Sequence, residues 1–433
     1  MTGLQREKLA RLLQAVRASN PFCRAKLASI AFDPLSDSIH LLPLTTRDEL
    51  QQSQADDPPY GRNLTFPLSQ YTRLHQTSGS SSGGEPLRWL DTAESWEWWK
   101  RCWATIYDAA QVGPADRLVF PFSFGPFIGF WSAFESATAR GNLCLAAGGM
   151  TTLARVHYIV DNAATVICCT PTFALRMAEA ASREGVALNE SAVRAVIVAG
   201  EPGGNIPETR AAIEAAWGAR VFDHAGMTEM GAWGFEAIEM PGGLFVNEDE
   251  FIAECVDPAT QQPVAEGELG ELVLTNLGRI GSPLIRYRTG DLVRLTKCAV
   301  PASIQNPIPA RRDKIQSRIG EWTWCIGGVL GRVDDMLIIR GNNVFPAAIE
   351  GIIRGVASAA EFQLRVERRG AMPELTVVVE RAADASAQRV EAEVGNALRD
   401  RLHFRPRVEV VEPGVLPRFE MKARRIVRGT NAE

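Results

Sequence analysis

The sequence predicts an α/β protein in two parts. A large N-terminal unit has layered α/β structure and a small β-barrel-like portion, and a small α+β unit closes the chain. Three observations carry this. Residues 113–240 alternate short apolar runs with helical patterns, as expected of parallel strands joined by helices. Residues 244–296 have hairpin spacing and the turn Glu266-Gly267-Glu268, which suits an antiparallel or barrel-like portion. After the stretch 331–346, strand-like and helical segments make a unit of about 100 residues, a normal domain size. At 433 residues, 46% hydrophobic and 22% charged, the chain can bury a large core and is too long for one typical domain.

In order, residues 1–57 read as helical, with Leu9, Leu12, Leu13 and Val16 at core spacing. Thr46 is placed to cap a helix beginning at Arg47. Tyr71-Thr72-Arg73-Leu74 is strand-like and breaks into His75-Gln76-Thr77-Ser78-Gly79-Ser80-Ser81-Ser82-Gly83-Gly84-Glu85-Pro86. Such a run is either a flexible linker or a loop whose backbone N–H groups and hydroxyls hold a phosphate. It follows a strand and precedes the Trp-rich stretch 96–103, so it sits inside a domain. Apolar runs at 118–122, 142–146, 165–169, 193–199 and 220–223 read as strands, with helices at 173–184 and 207–217. Sites in such sheets lie beyond the carboxyl ends of the strands. That points to Ser123-Phe124-Gly125-Pro126, Thr170-Pro171, Gly200-Glu201-Pro202-Gly203-Gly204 and His224-Ala225-Gly226-Met227-Thr228-Glu229.

Residues 296–328 have no clear period and read as a surface excursion. The stretch 331–346, G-R-V-D-D-M-L-I-I-R-G-N-N-V-F-P, is a charged turn, a short apolar strand, a polar loop and a Pro-started helix. Strand patterns at 361–367, 375–380 and 408–411 and a helix at 386–402 complete the C-terminal unit.

A net charge of −5 gives no support for nucleic acid or an anionic membrane as partner. No apolar run approaches the roughly 18 residues needed to span a bilayer. The N-terminus is a charged amphipathic helix rather than a signal peptide. Eight cysteines without a C-x-x-C pair suggest neither a disulfide framework nor structural zinc, and a reducing cytoplasm suits them.

Five motifs occur in order: T-S-G-S-S-S-G-G-E-P, D-H-A-G-M-T-E, Y-R-T-G-D, G-R-V-D-D and L-P-R-F-E-M-K-A-R-R-I-V. Singly, Asp291 is a turn aspartate, Glu229 a helix-start carboxylate, Asp334 a turn residue and Lys422 one charge of a basic tail. In this order they resemble the adenylate-forming superfamily of acyl-CoA synthetases, adenylation domains and luciferases. With N-P-F-C-R-A-K-L, L-P-L-T-T-R-D-E-L and R-G-N-N-V-F-P, the chain is most similar to the phenylacetate-CoA ligase family, over nearly its whole length.

The resemblance implies an AMP-binding domain over 1–332 and a mobile lid over 333–433, hinged near Asp334. It implies a reaction in which a carboxylate attacks the α-phosphate of ATP and a thiol, usually of coenzyme A, then displaces AMP. Charge develops on a polyanion in the first step, so donors and cations must neutralise it. Thr77, Ser78, Gly79, Ser80, Ser81, Ser82 and Gly83 would hold the β- and γ-phosphates. Thr228 would bond a phosphate oxygen and Glu229 would hold Mg2+. Asp291 would accept the ribose hydroxyls, with Arg332 nearby. Gly200, Glu201, Pro202, Asp223 and His224 would flank adenine. Lys422 would bridge the attacking carboxylate and the α-phosphate. Phe124, Phe127, Phe130, Ala225, Gly226 and Trp233 would line an acyl slot suited to an aryl or arylacetic acid.

Three departures stand out. Glu85 occupies a position where the family commonly has lysine, Phe419 and Met421 replace small residues before Lys422, and Cys255, Cys298 and Cys325 lack zinc-site spacing, so no zinc is expected. The leading expectation is a carboxylate–CoA ligase. Transfer to an acyl carrier protein or an amine, a degenerate nucleotide-binding regulatory protein, and a homodimer stay open.

Overall fold

The protein's computed structural model describes residues 1–77, 85–122, 124–305, 320–335, 337–339, 342–369, 372–402, 406–419, 423 and 425–428. Helix α1 (Gly3–Ser19) starts at a Thr2–Gln5 capping box and buries Leu9, Leu12, Leu13 and Val16. Asn20 caps α2 (Pro21–Lys26). The expected helical run over 1–57 then breaks. Pro34 and Pro43 cannot continue a helix, and the Asp33 carboxylate accepts from the Leu35 amide and the Ser36 hydroxyl in a local turn. Helicity resumes at α3 (Arg47–Asp56), whose Thr46–Glu49 capping box fulfils the sequence expectation.

Strands β1 (Tyr71–Gln76) and β2 (Arg88–Thr92) form an antiparallel hairpin that ends at Gln76 opposite Arg88. Residues 78–84 of the Ser/Gly run, which separate these paired strands in the sequence, lie outside the described set. Helix α4 (Ala93–Ala109) buries Trp96, Trp98, Trp99 and Trp103.

The α/β layer follows: β3 (Arg117–Phe120), α5 (Ile128–Ala139), β4 (Leu143–Ala146), α6 (Thr152–Asp161), β5 (Val166–Cys169), α7 (Pro171–Arg183), β6 (Ala195–Ala199), α8 (Pro207–Trp217) and β7 (Arg220–Met227). The strands are parallel in the order β4-β3-β5-β6-β7. Alternation decides their two faces. Leu118, Phe120, Ile197 and Phe222 join the α4 tryptophans, while Val119, Val196, Val198 and Val221 pack with α7 residues Phe173 and Met177 and α8 residues Ile213 and Trp217.

The barrel-like portion continues the same sheet. It comprises β8 (Gly231–Ala237), β9 (Met240–Val246), β10 (Phe251–Val256), β11 (Leu269–Asn276), β12 (Tyr287–Ala299), the short α9 (Ala302–Gln305), β13 (Glu321–Ile326) and β14 (Gly331–Arg332). Strand order is β10-β11-β12-β13-β9-β8-β7, with β14 on β12. Strand β12 is shared: residues 287–294 pair with β11, and Leu295–Ala299 with β13. This differs from the expected excursion over 296–328. The end of β12 and all of β13 lie in the sheet, because β13 pairs with β12 on one side and β9 on the other and buries Trp322, Thr323 and Cys325.

The C-terminal unit contains β15 (Leu337–Ile339), β16 (Asn342–Val344), α10 (Pro346–Arg354), β17 (Ala359–Arg369), β18 (Met372–Arg381), α11 (Ala387–Leu402), β19 (Arg407–Val411) and β20 (Ile426–Arg428). Its sheet runs β19-β18-β17-β20. Leu337, Ile349, Leu364, Val377, Val390 and Leu398 belong to one apolar cluster drawn only from residues after 336. No helix among the described residues is long and apolar enough to cross a membrane.

Candidate active site

Three distant segments meet at Arg47, the first residue of α3. Its guanidinium lies 3.4 Å from Thr77 Oγ1, 3.4 Å from the Glu85 carbonyl oxygen and 3.6 Å from Glu229 Oε1. Thr77 is fixed from its other side, since its hydroxyl accepts from the Leu87 amide at 2.9 Å and its amide donates to the Leu87 carbonyl. Arg47 thus links the base of the Ser/Gly connection to the Thr228-Glu229 turn. Sequence reasoning gave Arg47 only a helix start. The loss of a cation at Glu85, which is exposed here, calls for Arg88 or another base to substitute, without pointing to Arg47.

Glu229 is buried, and the Tyr287 hydroxyl donates to its Oε1 at 3.1 Å. Burial, then the Glu229 charge, pushes the Tyr287 hydroxyl well above the ordinary phenol range, so it stays protonated as a donor. The turn itself hangs on Arg279. Fully buried, Arg279 forks onto Asp91 at 2.7 and 2.5 Å and donates to the Thr228 and Glu229 carbonyls at 2.6 and 3.1 Å. The faces of Trp89 and Trp99 lie 5.5 and 5.1 Å from its guanidinium carbon. A fully paired buried guanidinium of this kind fixes backbone geometry, because removing one partner would leave an uncompensated charge.

Strand β7 runs to Met227, so His224-Ala225-Gly226-Met227 is strand rather than the expected loop. The antiparallel partner β8 extends it, with a register shift between Ala225 and Gly226. His224 is buried, edge-on to Trp103 at 4.6 Å, with Nδ1 2.6 Å from the Gly234 carbonyl. Burial pushes its pKa down to about 4, so the imidazole is neutral and Nδ1 carries the proton, leaving Nε2 an acceptor. Asp223 accepts from Asn205 and from the His224 amide. Burial, and next the neighbouring Glu236 carboxylate, pushes it up to about 7. Arg210 pairs with Glu236. A Cβ at Gly204 would overlap the Asp223 carboxylate, so glycine there lets the 200–204 loop close over the strand end.

Gly200 and Pro202 lie in that loop, but the Glu201 carboxylate turns to the start of α7 and the C-terminal unit instead of toward Asp223. It accepts from the Thr172 amide at 2.9 Å and from the Ala423 amide. Asp291 and Arg332 are opposite one another across β12 and β14, and Arg332 Nη1 donates to Asp291 Oδ1 at 2.8 Å. Gly290 precedes them at φ +75, where a Cβ would press on the Arg332 guanidinium. Asp334 is exposed in the following turn, 3.9 Å from Arg332.

The aromatic loop adjoins the hairpin: the Gln76 amide donates to the Pro126 carbonyl at 2.9 Å. Phe124 packs edge-on against Trp131 and Phe134, and Trp131 Nε1 donates to the Gly125 carbonyl. Phe127 is half-buried at the start of α5. Trp233 lies wholly in the core, its indole N–H unpaired among the described residues. Ala225 is half-buried and Gly226 exposed. Ser78, Gly79, Ser80, Ser81, Ser82, Gly83 and Lys422 lie outside the described residues, as does the Phe130 side chain.

Among the described residues, no group of three or more His, Cys, Asp or Glu side chains converges on one point. Glu229 offers one carboxylate between the Tyr287 hydroxyl and the Arg47 guanidinium. That suits Mg2+, which binds through one or two carboxylates and completes its shell with phosphate oxygens and water.

Residues 96–278 match the AMP-binding enzyme family, and residues 341–428 match the AMP-binding enzyme C-terminal domain. The chain is similar to the phenylacetate-coenzyme A ligase of Pseudomonas putida, 30% identical over 97% of this chain and 92% of that protein. The phenylacetate-coenzyme A ligase of Escherichia coli is 30% identical over 98% and 94%, and that of Thermus thermophilus 28% over 99% and 96%. Among solved structures, 2-hydroxyisobutyryl-CoA ligase in the postadenylation state with 2-HIB-AMP is similar at a TM-score of 0.88. It is 25% identical and covers 98% of this chain and 89% of its own. With 2-HIB-AMP and CoA in the thioesterification state, that ligase gives a TM-score of 0.69, at 26% identity over 98% and 88%.

Proposed function

The chain belongs to the phenylacetate-coenzyme A ligase family of AMP-forming acid–thiol ligases, and we propose that its acid is an aryl or arylacetic acid. One observation carries the site: Arg47 joins the Thr77 end of the hairpin to Glu229, and the same hairpin is hydrogen-bonded to the aromatic loop at Pro126. A phosphate site and an apolar slot thereby share a wall.

In the first half-reaction the acid's carboxylate oxygen attacks the α-phosphorus of ATP, and pyrophosphate leaves. The hairpin residues Thr77 to Gly83 cradle the β- and γ-phosphates, and Arg47 supplies the cation that Glu85 does not. Thr228 bonds a phosphate oxygen, its turn held by Arg279. Glu229 holds Mg2+, which neutralises charge on the phosphates when bound. Asp291, oriented by Arg332, accepts the ribose hydroxyls. Asp223, His224, Gly200 and Pro202 flank the adenine, with neutral His224 offering an acceptor. Lys422 bridges the incoming carboxylate and the α-phosphate. In the second half-reaction the thiol of coenzyme A attacks the acyl carbon and AMP leaves. Phe124, Phe127, Phe130, Ala225 and Gly226 form the acyl slot, and Trp233 supports it from the core. The body ends at residue 332 and the lid begins at 333, with Asp334 as the hinge.

The test is pyrophosphate release over a panel of benzoic, hydroxy- and aminobenzoic, phenylacetic and fatty acids, with and without coenzyme A. Turnover with one aryl or arylacetic acid that needs coenzyme A is expected. Turnover confined to fatty acids would remove the aromatic assignment, and thioester formation unsupported by free coenzyme A would remove the acceptor.

A further inference from the structure

Helix α7 carries the C-terminal tail along one face. Thr172, Arg176 and Glu179 are spaced four and three residues apart, so they line up on the same side, opposite the core-facing Phe173, Ala174 and Met177. Arg425 Nη2 donates to Thr172 Oγ1 at 3.2 Å. Arg176 Nη1 donates to the Arg418 carbonyl at 2.9 Å, and Arg418 Nε reaches Glu179 Oε2 at 3.3 Å. Glu201 completes the row from the neighbouring 200–204 loop. One carboxylate oxygen accepts the Thr172 amide and the other the Ala423 amide. Glu201 is therefore one rigid two-acceptor link between the body's α7 and the lid's main chain, at the residue next to Lys422.

The lid side is equally built. Arg425, which follows Ala423 by two residues, is 9% exposed and is held within the lid by Glu361 at 3.0 Å and Glu350 at 3.4 Å. Its guanidinium lies 4.9 Å from the Phe362 ring. The lid thus presents a fixed guanidinium and a fixed amide to Thr172 and Glu201. These contacts join body to lid, so they contribute free energy only while the lid keeps this orientation. The orientation is the one in which the chain is more similar to 2-hydroxyisobutyryl-CoA ligase after adenylation than to the same ligase in thioesterification, with TM-scores of 0.88 and 0.69.

We propose that Glu201 is a positioning residue that latches the tail around Ala423 onto α7 for adenylate formation, and that it releases the tail before thioester formation. This rests on the adenylate-forming reading above. It also reassigns Glu201 from flanking the adenine to holding the lid.

The experiment measures the half-reactions separately. Pyrophosphate release is followed in single turnover, and thioester formation is followed from preformed acyl-adenylate and coenzyme A. Glu201→Gln keeps the shape but turns an N–H2 toward one of the two amides. The variant is expected to slow adenylate formation by about tenfold or more, the effect of losing a charge-assisted hydrogen bond, and to leave thioester formation at the wild-type rate or faster. Glu201→Asp keeps the charge but cannot span both amides, and its loss should be intermediate; it carries the test if the glutamine variant does not fold. A fall of both half-reactions in equal proportion, or an unchanged adenylation rate, overturns the latch. Absence of pyrophosphate release from the wild type with every acid would instead overturn the adenylate reading itself.

Discussion

At the scale of single residues, Asp223 takes its chemistry from its surroundings. Desolvated and beside the buried Glu236, it is pushed up to about 7 from its ordinary 3.8. The folded state therefore holds a proton that the unfolded chain gives up at lower pH. The resulting stability is fully present below the ordinary carboxylate value and is lost as pH rises through about 7. Asp223→Asn fixes the neutral form. The wild type minus variant difference in thermal midpoint is expected to fall steadily as pH rises from about 4 to about 7 and to level off above that. A difference that stays flat over this window would rule out the buried proton. The sequence marked His224 as a candidate because it follows an apolar run, and the family resemblance added Asp223. It could not mark Arg47, whose partners Thr77, Glu85 and Glu229 are brought to it by the docking of α3 on the hairpin. Nor could it turn Glu201 away from the nucleotide loop, because that depends on where the C-terminal tail lands.

At the scale of elements, β3, β5 and β6 were legible because strands buried on both faces read as continuous apolar runs. Strand β13 was not, since Trp322 and Thr323 are buried side by side and give no period. It follows a long Pro- and Arg-rich interval, and its neighbours β12 and β9 come from elsewhere in the chain, so no local turn announces the pairing. The end of β7 was hidden for a similar reason: Ala225 and Gly226 gain strand geometry only from β8. The central position of β13 has a measurable consequence. The Thr323 amide donates to Glu248 Oε1 at 3.0 Å, its hydroxyl bonds the same oxygen, and Lys297 Nζ lies 2.6 Å from it. Glu248 is buried. Thr323→Val removes the hydroxyl's bond to Glu248 and the one it accepts from Lys297 Nζ at 2.9 Å without changing the side chain's shape, so it should lower stability by about 1–3 kcal/mol, read as a shift in urea midpoint. A midpoint equal to the wild type would mean that β13 behaves as a surface strand.

At the scale of the whole molecule, two folded units meet along α7, α8 and the 200–204 loop, and the chain crosses between them once. Strand β14 still belongs to the body, since Arg332 pairs with Asp291 of β12. From Leu337 onward the apolar side chains pack into the lid's own core. Between these limits the Asp335 amide donates to the Arg332 carbonyl in a turn, and Asp334 stands exposed. Any change of lid orientation must be absorbed here, because both flanking segments are committed to separate cores. The pivot proposed at Asp334, which the sequence suggested by resemblance, lies within this interval. Asp334→Pro fixes φ at that residue and restricts Val333 before it, while the α7 contacts and Glu201 stay intact. The expected outcome is a change of about tenfold or more in the ratio of the two half-reaction rates, the equivalent of about 1.4 kcal/mol between lid orientations. Because Glu201→Gln removes a contact of one orientation and Asp334→Pro restricts passage between both, their effects should differ in kind. The first lowers adenylate formation alone; the second also slows the approach to thioester when coenzyme A is added after adenylate has formed on the enzyme. Half-reaction rates in an Asp334→Pro variant that keep the wild-type ratio would move the pivot away from residue 334.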